Sequence, residues 1–416
     1  MTKLSLFPYV AVAMLVGALP ACSMWNTADP AGGGASGQPS SSSSSAAPAP
    51  IPVEVFEAAI LSAANTLLGK ASLPPDSRRV LVIDPLIDGM TGEQTASTRS
   101  MGERIARLAR EQYAQRYTVQ PFNRTTVVRA PLVLIGTLTP INRDGKTEGR
   151  REIYRICLAL ADLSARRIVG KGVARAELGG VDGTATTFYL DSPAWGLDAG
   201  TAGYIKTCQG TRPGDAMDPA YLDRIVLGAL LSEAVDHYNA GRYKQALDAY
   251  ADAEEIPGGA DELRVLNGLY LSNMRLKRNK EAAAAFDRIV DNGFRNNRLS
   301  VKLLFRPNSV EYVATSSVSG AYPMWLNRIA LAATRHPATC VNVSGHSGMA
   351  GGEAERERIA RLRAEAVRNR LVALQPALAK RVTAVGLGSR EALVGTGRDD
   401  ASDVLDRRVV FKLAPC

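Results

Sequence analysis

The sequence predicts a multi-domain α+β protein. It divides into an N-terminal α/β sandwich over residues 52–220, central helical repeats over 221–298, and a C-terminal βαβαβ domain over 299–416. Three observations predict this. Short apolar runs alternate with helical-period segments in the first and last parts. The middle repeats itself: Ala246 returns as Ala282, and Tyr250 as Phe286, each 36 residues on. A Ser/Pro/Gly/Ala stretch over 22–51, with an unbroken serine run from Ser40 to Ser45, sets the N-terminus apart as a tether too poor in apolar groups to fold.

Residues 1–21 read as a signal peptide. Met1-Thr2-Lys3 supplies one cation, and Leu4 to Leu19 is an apolar run broken only by Ser5, small residues and Pro8. The run suits a signal core better than a membrane span. It ends in Leu19-Pro20-Ala21-Cys22. This resembles the lipobox of bacterial lipoproteins. The resemblance implies a diacylglycerol thioether on Cys22, cleavage before it, and N-acylation of the new amine. Several acyl chains exceed what a single chain can hold to a bilayer. Ser23 stands where an inner-membrane lipoprotein usually carries Asp, which favours the outer-membrane bilayer.

In the first folded region, Val53 to Lys70 reads as a helix and Arg79 to Leu86 as a short buried strand closed by Pro85. Arg99 to Tyr117 has helical period, with Met101, Ile105, Leu108 and Tyr113 near one face. Strand-like runs follow at 132–139, 152–162 and 167–176; in the second, Tyr154, Ile156, Leu158 and Leu160 alternate with a less apolar face. The stretches "VLVIDPLID", "LVLIGTLTPI" and "YRICLALADLSARRIVGKGVARA" resemble the periplasmic α/β domains of envelope lipoproteins of the curli-secretion, FlgO and penicillin-binding-protein-activator types. Asp84, Asp88 and Asp162 read as strand-end caps, since no nucleophile or base accompanies them.

The middle region carries Gly241, Tyr243, Ala246, Tyr250, Ala253 and Pro257, then Ala282 and Phe286. A small residue at a tight helix crossing and an aromatic four residues later resemble a tetratricopeptide pair, whose period is about 34. The resemblance implies a partner-binding groove or a helical spacer. Two repeats are few for a free solenoid, so the pair is expected to pack on a neighbour.

The last region carries Val301 to Phe305, a helix from Trp325 to Thr334, Val341-Asn342-Val343-Ser344-Gly345-His346-Ser347, Arg361 to Val367, and Asp406-Arg407-Arg408-Val409-Val410-Phe411. These resemble the strands and helices of the OmpA-like peptidoglycan-associated domain. On the long helix, Ile359, Leu362, Ala366, Leu371 and Leu374 are expected to face inward. The resemblance implies binding of the stem peptide of peptidoglycan. There an Asp closing Gly-His-Thr-Asp takes the ammonium of diaminopimelate, and an Arg fifteen residues on takes its carboxylate. Here Arg363 is in register, Gly348 stands at the Asp position, and Arg356 stands where Asn is usual. Arg363, Arg356 and Ser347 are therefore the expected peptidoglycan-binding residues, gripping a carboxylate through N–H donors. His346 reads as a packing residue.

The net charge of +9 suits an envelope protein meeting anionic lipid and wall carboxylates, and export removes nucleic acid as a partner. Beyond Cys22 the cysteines are Cys157, Cys208, Cys340 and Cys416, which in an oxidising compartment suggest two disulfides with three possible pairings. Cys340 borders one strand and Cys416 follows the closing strand. If those strands are antiparallel neighbours, the two cysteines pair, leaving Cys157 for Cys208. No spacing suits a metal, no cofactor motif occurs, and the Walker loop, Gly-x-Ser-x-Gly elbow and His-Glu-x-x-His are missing, so no enzyme is expected. The leading function is a lipid-anchored envelope protein held non-covalently to peptidoglycan. The alternative is an adaptor that recruits an envelope protein partner, a wall synthase, secretion or flagellar component, through its first two regions.

Overall fold

The computed structural model describes residues 51–74, 78–313, 319–398 and 400–416. Cys22, the signal segment and all but the last residue of the tether lie outside the described residues.

The chain enters through β1 (Val53–Glu54) and α1 (Phe56–Lys70). Helix α1 buries Phe56, Ala59, Ile60, Ala63, Ala64, Leu67 and Leu68, a stripe at spacings of three and four. Next come β2 (Arg79–Ile83), β3 (Ile87–Asp88) and α2 (Ala96–Gln112). Thr95 and Thr98 close a capping box at the start of α2. Then follow β4 (Tyr117–Gln120), α3 (Arg124–Val127), β5 (Leu132–Ile141), β6 (Ile153–Asp162) and β7 (Arg167–Glu177). Helix α2 ends at Gln112, so the helix expected over 99–117 stops before Tyr117, whose side chain opens a strand instead.

Among the described residues these seven strands form one sheet, ordered β1-β7-β6-β5-β2-β4, with β3 beside β5. Strands β5, β6 and β7 are an antiparallel meander; β2 runs parallel to β4 and β5. The sequence suggests one apolar face, but β5 is buried along its whole length, so both faces are covered. Tyr154, Ile156, Leu158 and Leu160 meet α1 and α2 in one core, while Cys157, Ala159 and Ala161 belong to a second core on the opposite face. That second core is closed by α5 (Ala199–Gln209), preceded by α4 (Thr187–Asp191), and by α6 (Pro219–Asn239). The region is thus a three-layer arrangement rather than a two-layer sandwich.

Helix α6 is shared. Tyr221, Ile225 and Ala229 pack on the sheet, while Leu231, Ala234 and Tyr238 pack with α7 (Tyr243–Glu254), α8 (Leu263–Arg275) and α9 (Asn279–Arg295). Ala246, Tyr250, Ala282 and Phe286 are all buried where these helices cross. The aromatic surface is already occupied: Phe188 of α4 stacks on Tyr250 at 5.7 Å and meets the edge of Tyr238 at 5.8 Å. The chain's own segment around Phe188 thus covers the aromatic side chains of these helices.

The C-terminal region runs β8 (Arg298–Leu304), α10 (Tyr322–Arg335), β9 (Thr339–Gly345), α11 (Glu353–Leu374), β10 (Val382–Gly386) and β11 (Arg408–Pro415). Its sheet order is β10-β9-β11-β8, with β10 and β9 parallel and the other pairs antiparallel. Helix α10 docks on the helical pairs. Trp325 stacks on Phe286 at 5.5 Å and donates its indole N–H to Tyr270 at 2.9 Å. One hydrophobic core therefore runs from Phe188 to Leu413.

The cysteines differ from expectation in one pair. Cys340 and Cys416 are disulfide-bonded, with Cα atoms 4.9 Å apart on adjacent antiparallel strands. Cys157 and Cys208 face each other but are free thiols, their sulfurs 3.0 Å apart, longer than a covalent S–S bond.

Candidate functional site

The site forms where β9 ends and α11 begins. Gly345, the last residue of β9, lies so close to α11 that an added Cβ would sit 1.9 Å from the Ala360 carbonyl oxygen. Gly386 of β10 is similar, at 2.6 Å from the backbone nitrogen of Arg361. The missing side chains let the helix settle onto two parallel strands. They also choose its inner face: Ile359, Ala360, Arg363, Ala364, Val367 and Leu371 are buried. Leu362 and Leu374 are only partly covered and Ala366 is exposed, so the expected apolar stripe is displaced toward the small residues that the glycines meet.

Rotating the helix this way carries Arg363 inward. It is only 1% exposed. Its Nε donates to the Ser309 carbonyl at 3.0 Å, Nη1 to His346 at 2.9 Å and Nη2 to Arg306 at 2.8 Å, and the guanidinium lies 5.3 Å from the Phe305 ring centroid. These bonds tie the turn after β8 to the loop after β9. Arg363 forms the floor of a cavity of about 360 Å³, whose walls include Asn308, Ser347, Gly348, Arg356 and Arg407.

Two wall groups lack partners. The Ser347 hydroxyl is buried without a hydrogen bond, while its backbone N–H donates to Gly388 at 3.0 Å. Arg356 donates through Nη1 to Met349 at 3.2 Å and Gly351 at 2.7 Å, but its buried Nε has no acceptor. Arg407 donates to the Phe305 carbonyl at 3.1 Å. Glu355 is held by Arg358 through two bonds of 2.6 and 2.7 Å. A buried hydroxyl and a buried guanidinium N–H, both without a partner, thus stand beside further arginines at this cavity. The three expected residues, Ser347, Arg356 and Arg363, thus meet at one cavity, with Arg363 built into the backbone beneath the others.

His346 stays neutral. Burial, then Arg408 and Lys412, push its pKa down to about 2, and both ring nitrogens are unpartnered, with Glu391 3.8 Å away. Asp406 was read only as part of the closing strand. Its carboxylate accepts the N–H groups of Leu393, Val394 and Gly395 at 2.6–2.9 Å and so shapes the loop behind the site. The signal is the acidic residue at the head of Asp-Arg-Arg, just before the closing strand begins. Asp88 and Asp162 cap turns through backbone N–H groups, whereas Asp84 accepts the Tyr221 hydroxyl at 2.7 Å and fastens α6. Among the described residues no His/Cys/Asp/Glu cluster could hold a metal ion.

Residues 312–403 match the OmpA family model. The C-terminal region is OmpA-like. Solved structures similar to this region include the peptidoglycan-associated lipoprotein from Burkholderia pseudomallei, 25% identical, covering 27% of this chain and 89% of that one with a TM-score of 0.24. The C-terminal domain of Helicobacter pylori MotB is 15% identical and covers 28% of this chain and 84% of that one, TM-score 0.24. The OmpA-like domain of FopA1 from Francisella tularensis is 17% identical and covers 28% and 71%, TM-score 0.22. No curated protein matches the chain. No described helix is long and apolar enough to cross a membrane.

Proposed function

We propose that the chain is an outer-membrane lipoprotein, anchored through Cys22, whose OmpA-like region associates non-covalently with peptidoglycan in the periplasm. The observation that carries the wall association is the unpartnered Ser347 hydroxyl and Arg356 Nε, two OmpA-matching residues that meet at one cavity. A stem-peptide carboxylate supplies the acceptor both groups need, and Arg363 holds the loop that presents them. The name of the Burkholderia relative supports the same reading. The first region is read as an envelope-lipoprotein α/β domain and the helical pairs as tetratricopeptide-like, serving here as a spacer. Co-sedimentation of the purified full chain with sacculi tests wall association; a protein that stays in the supernatant at low ionic strength sinks the proposal. The adaptor reading is favoured by one feature, an open groove of about 780 Å³ between α2 and α6, walled by Arg107, Glu111, Val119 and Phe122. Photocrosslinking from position 107 in whole cells tests it, and the absence of any crosslinked envelope protein counts against it.

A further inference from the structure

The buried thiols of the first region point to chemistry that wall association does not use. Cys157 lies on the middle strand β6 and Cys208 near the end of α5. Both are sealed, at 4% and 0% exposure. Cys208 donates its S–H toward Cys157 Sγ at 3.0 Å and toward the Cys157 carbonyl at 3.0 Å, and the Cys157 thiol, when protonated, donates to the Cys208 carbonyl at 2.7 Å. The Lys171 ammonium, from β7, donates to the Cys208 carbonyl and lies 3.5 Å from Cys157 Sγ. A strand, a helix and a neighbouring cation thus converge on two sulfurs about 1 Å beyond bonding distance.

We propose that Cys157 and Cys208 are a redox pair that closes to an intramolecular disulfide and clamps α5 onto the sheet. The surroundings of the two sulfurs set the order of events, with Lys171 contributing. The hydrogen bond from Cys208, with Lys171 beside it, holds Cys157 down to about 7, while burial pushes Cys208 well above the ordinary thiol range. Cys157 is therefore the attacking thiolate. It attacks one sulfur of an incoming disulfide, breaking that S–S bond and releasing one thiolate. The Cys208 thiol passes its proton to the released thiolate and attacks Cys157 Sγ, expelling the second thiolate. Two protein thiols are oxidised and one external disulfide is reduced to two thiols. Because both sulfurs are sealed, closure proceeds when α5 lifts or before it docks. The docked helix then shields whichever state it covers.

The test uses the full chain, reduced, desalted and exposed to glutathione disulfide, once folded and once during refolding from urea. After acid quench and alkylation, non-reducing peptide mapping reads the result apart from Cys340–Cys416. The expected product joins the Cys157 and Cys208 peptides and raises the thermal midpoint. Recovering both as alkylated thiols, or as two separate glutathione adducts, under both conditions overturns the pair. Lys171→Met is expected to slow closure on the order of three- to tenfold near neutral pH, the lost thiolate fraction being partly offset by a more nucleophilic sulfur. An unchanged rate across pH overturns the part assigned to Lys171.

Discussion

Lys302, on the first strand of the OmpA-like region, forms a buried ion pair with Glu93, from the loop before α2, with side chains 4% and 6% exposed. The ammonium also donates to the Tyr189 carbonyl at 2.7 Å. Elsewhere between the two regions, Arg151 from the β5–β6 loop donates to the Ala392 carbonyl, and Trp195 donates its backbone N–H to the Ser300 carbonyl. First and last regions are fastened by an ion pair and by side-chain and backbone hydrogen bonds, so they are expected to unfold together. Lys302→Met is expected to destabilise the whole chain by about 3–5 kcal/mol, because it strands a buried carboxylate. Adding Glu93→Leu is expected to restore most of the loss. Urea unfolding followed by far-ultraviolet dichroism measures this, and a second, unshifted transition would contradict the coupling.

Gly345→Ala tests the seating of α11. The added methyl meets the Ala360 carbonyl, and the helix must retreat from β9. The expected cost is about 1–3 kcal/mol. Sacculus binding should fall beyond what the stability loss explains, because Arg363 and Ser347 are then set apart. Equal binding at a temperature where both proteins are folded would remove the link between this contact and the site.

His346 gives a pH signature. Its folded pKa of about 2 lies below the ordinary 6.5. The unfolded chain therefore binds a proton that the folded chain refuses. Stability from this residue is complete above pH 6.5 and is lost as pH falls through the range toward 2, at about 1.4 kcal/mol per unit once the unfolded imidazole is fully charged. His346→Gln should flatten that slope. Asp84 works in the opposite sense: burial raises it to about 7, so its contribution is present below pH 3.8 and is lost as pH rises through 7. Denaturation midpoints of parent and variant from about pH 4 to about pH 8, compared pairwise, check the sign, and a slope left unchanged by His346→Gln contradicts it.

Ser347→Ala and Arg356→Ala should each weaken sacculus binding, the arginine by about 1.5–3 kcal/mol for a charge-assisted bond. Arg356→Lys should recover only part, since an ammonium lacks the planar fork. Arg363→Ala is expected to lower stability as well, by exposing three backbone carbonyls to loss of their donor. Gly348→Asp should strengthen binding by supplying a partner for the diaminopimelate ammonium. Coincident binding curves for parent, Ser347→Ala, Arg356→Ala and Gly348→Asp would remove the wall site from this cavity.

Cys22→Ser should move the protein from the membrane pellet to the soluble periplasmic fraction, because the acyl chains supply most of its membrane affinity. Retention in the pellet after a high-salt wash would argue for another means of attachment.

Much of the strand framework was legible because strand alternation is a local signal. Tyr154, Ile156, Leu158 and Leu160 announce one buried face of β6. The other face was not legible, since Cys157, Ala159 and Ala161 are small and ambiguous. Its cover, α5, has glycines at 200 and 203 that weaken any helical reading. Gly203 is there for contact: a Cβ would come within 2.6 Å of the Tyr221 backbone nitrogen. Arg363 was legible by its spacing from Gly348. Its bonding was not, because its acceptors belong to residues 306, 309 and 346, which only the folded chain assembles.

Helix α6 has a mechanical consequence. Its first turns belong to the core of the large sheet and its later turns to the core that continues into the OmpA-like region. If one end of the protein is held by lipid and the other by the wall, tension passes along a helix roughly 30 Å long whose two halves are gripped by different layers. Stretching the molecule would then require shearing packed side chains such as Tyr221 and Tyr238 past their neighbours. The described body should then resist as a single stiff strut.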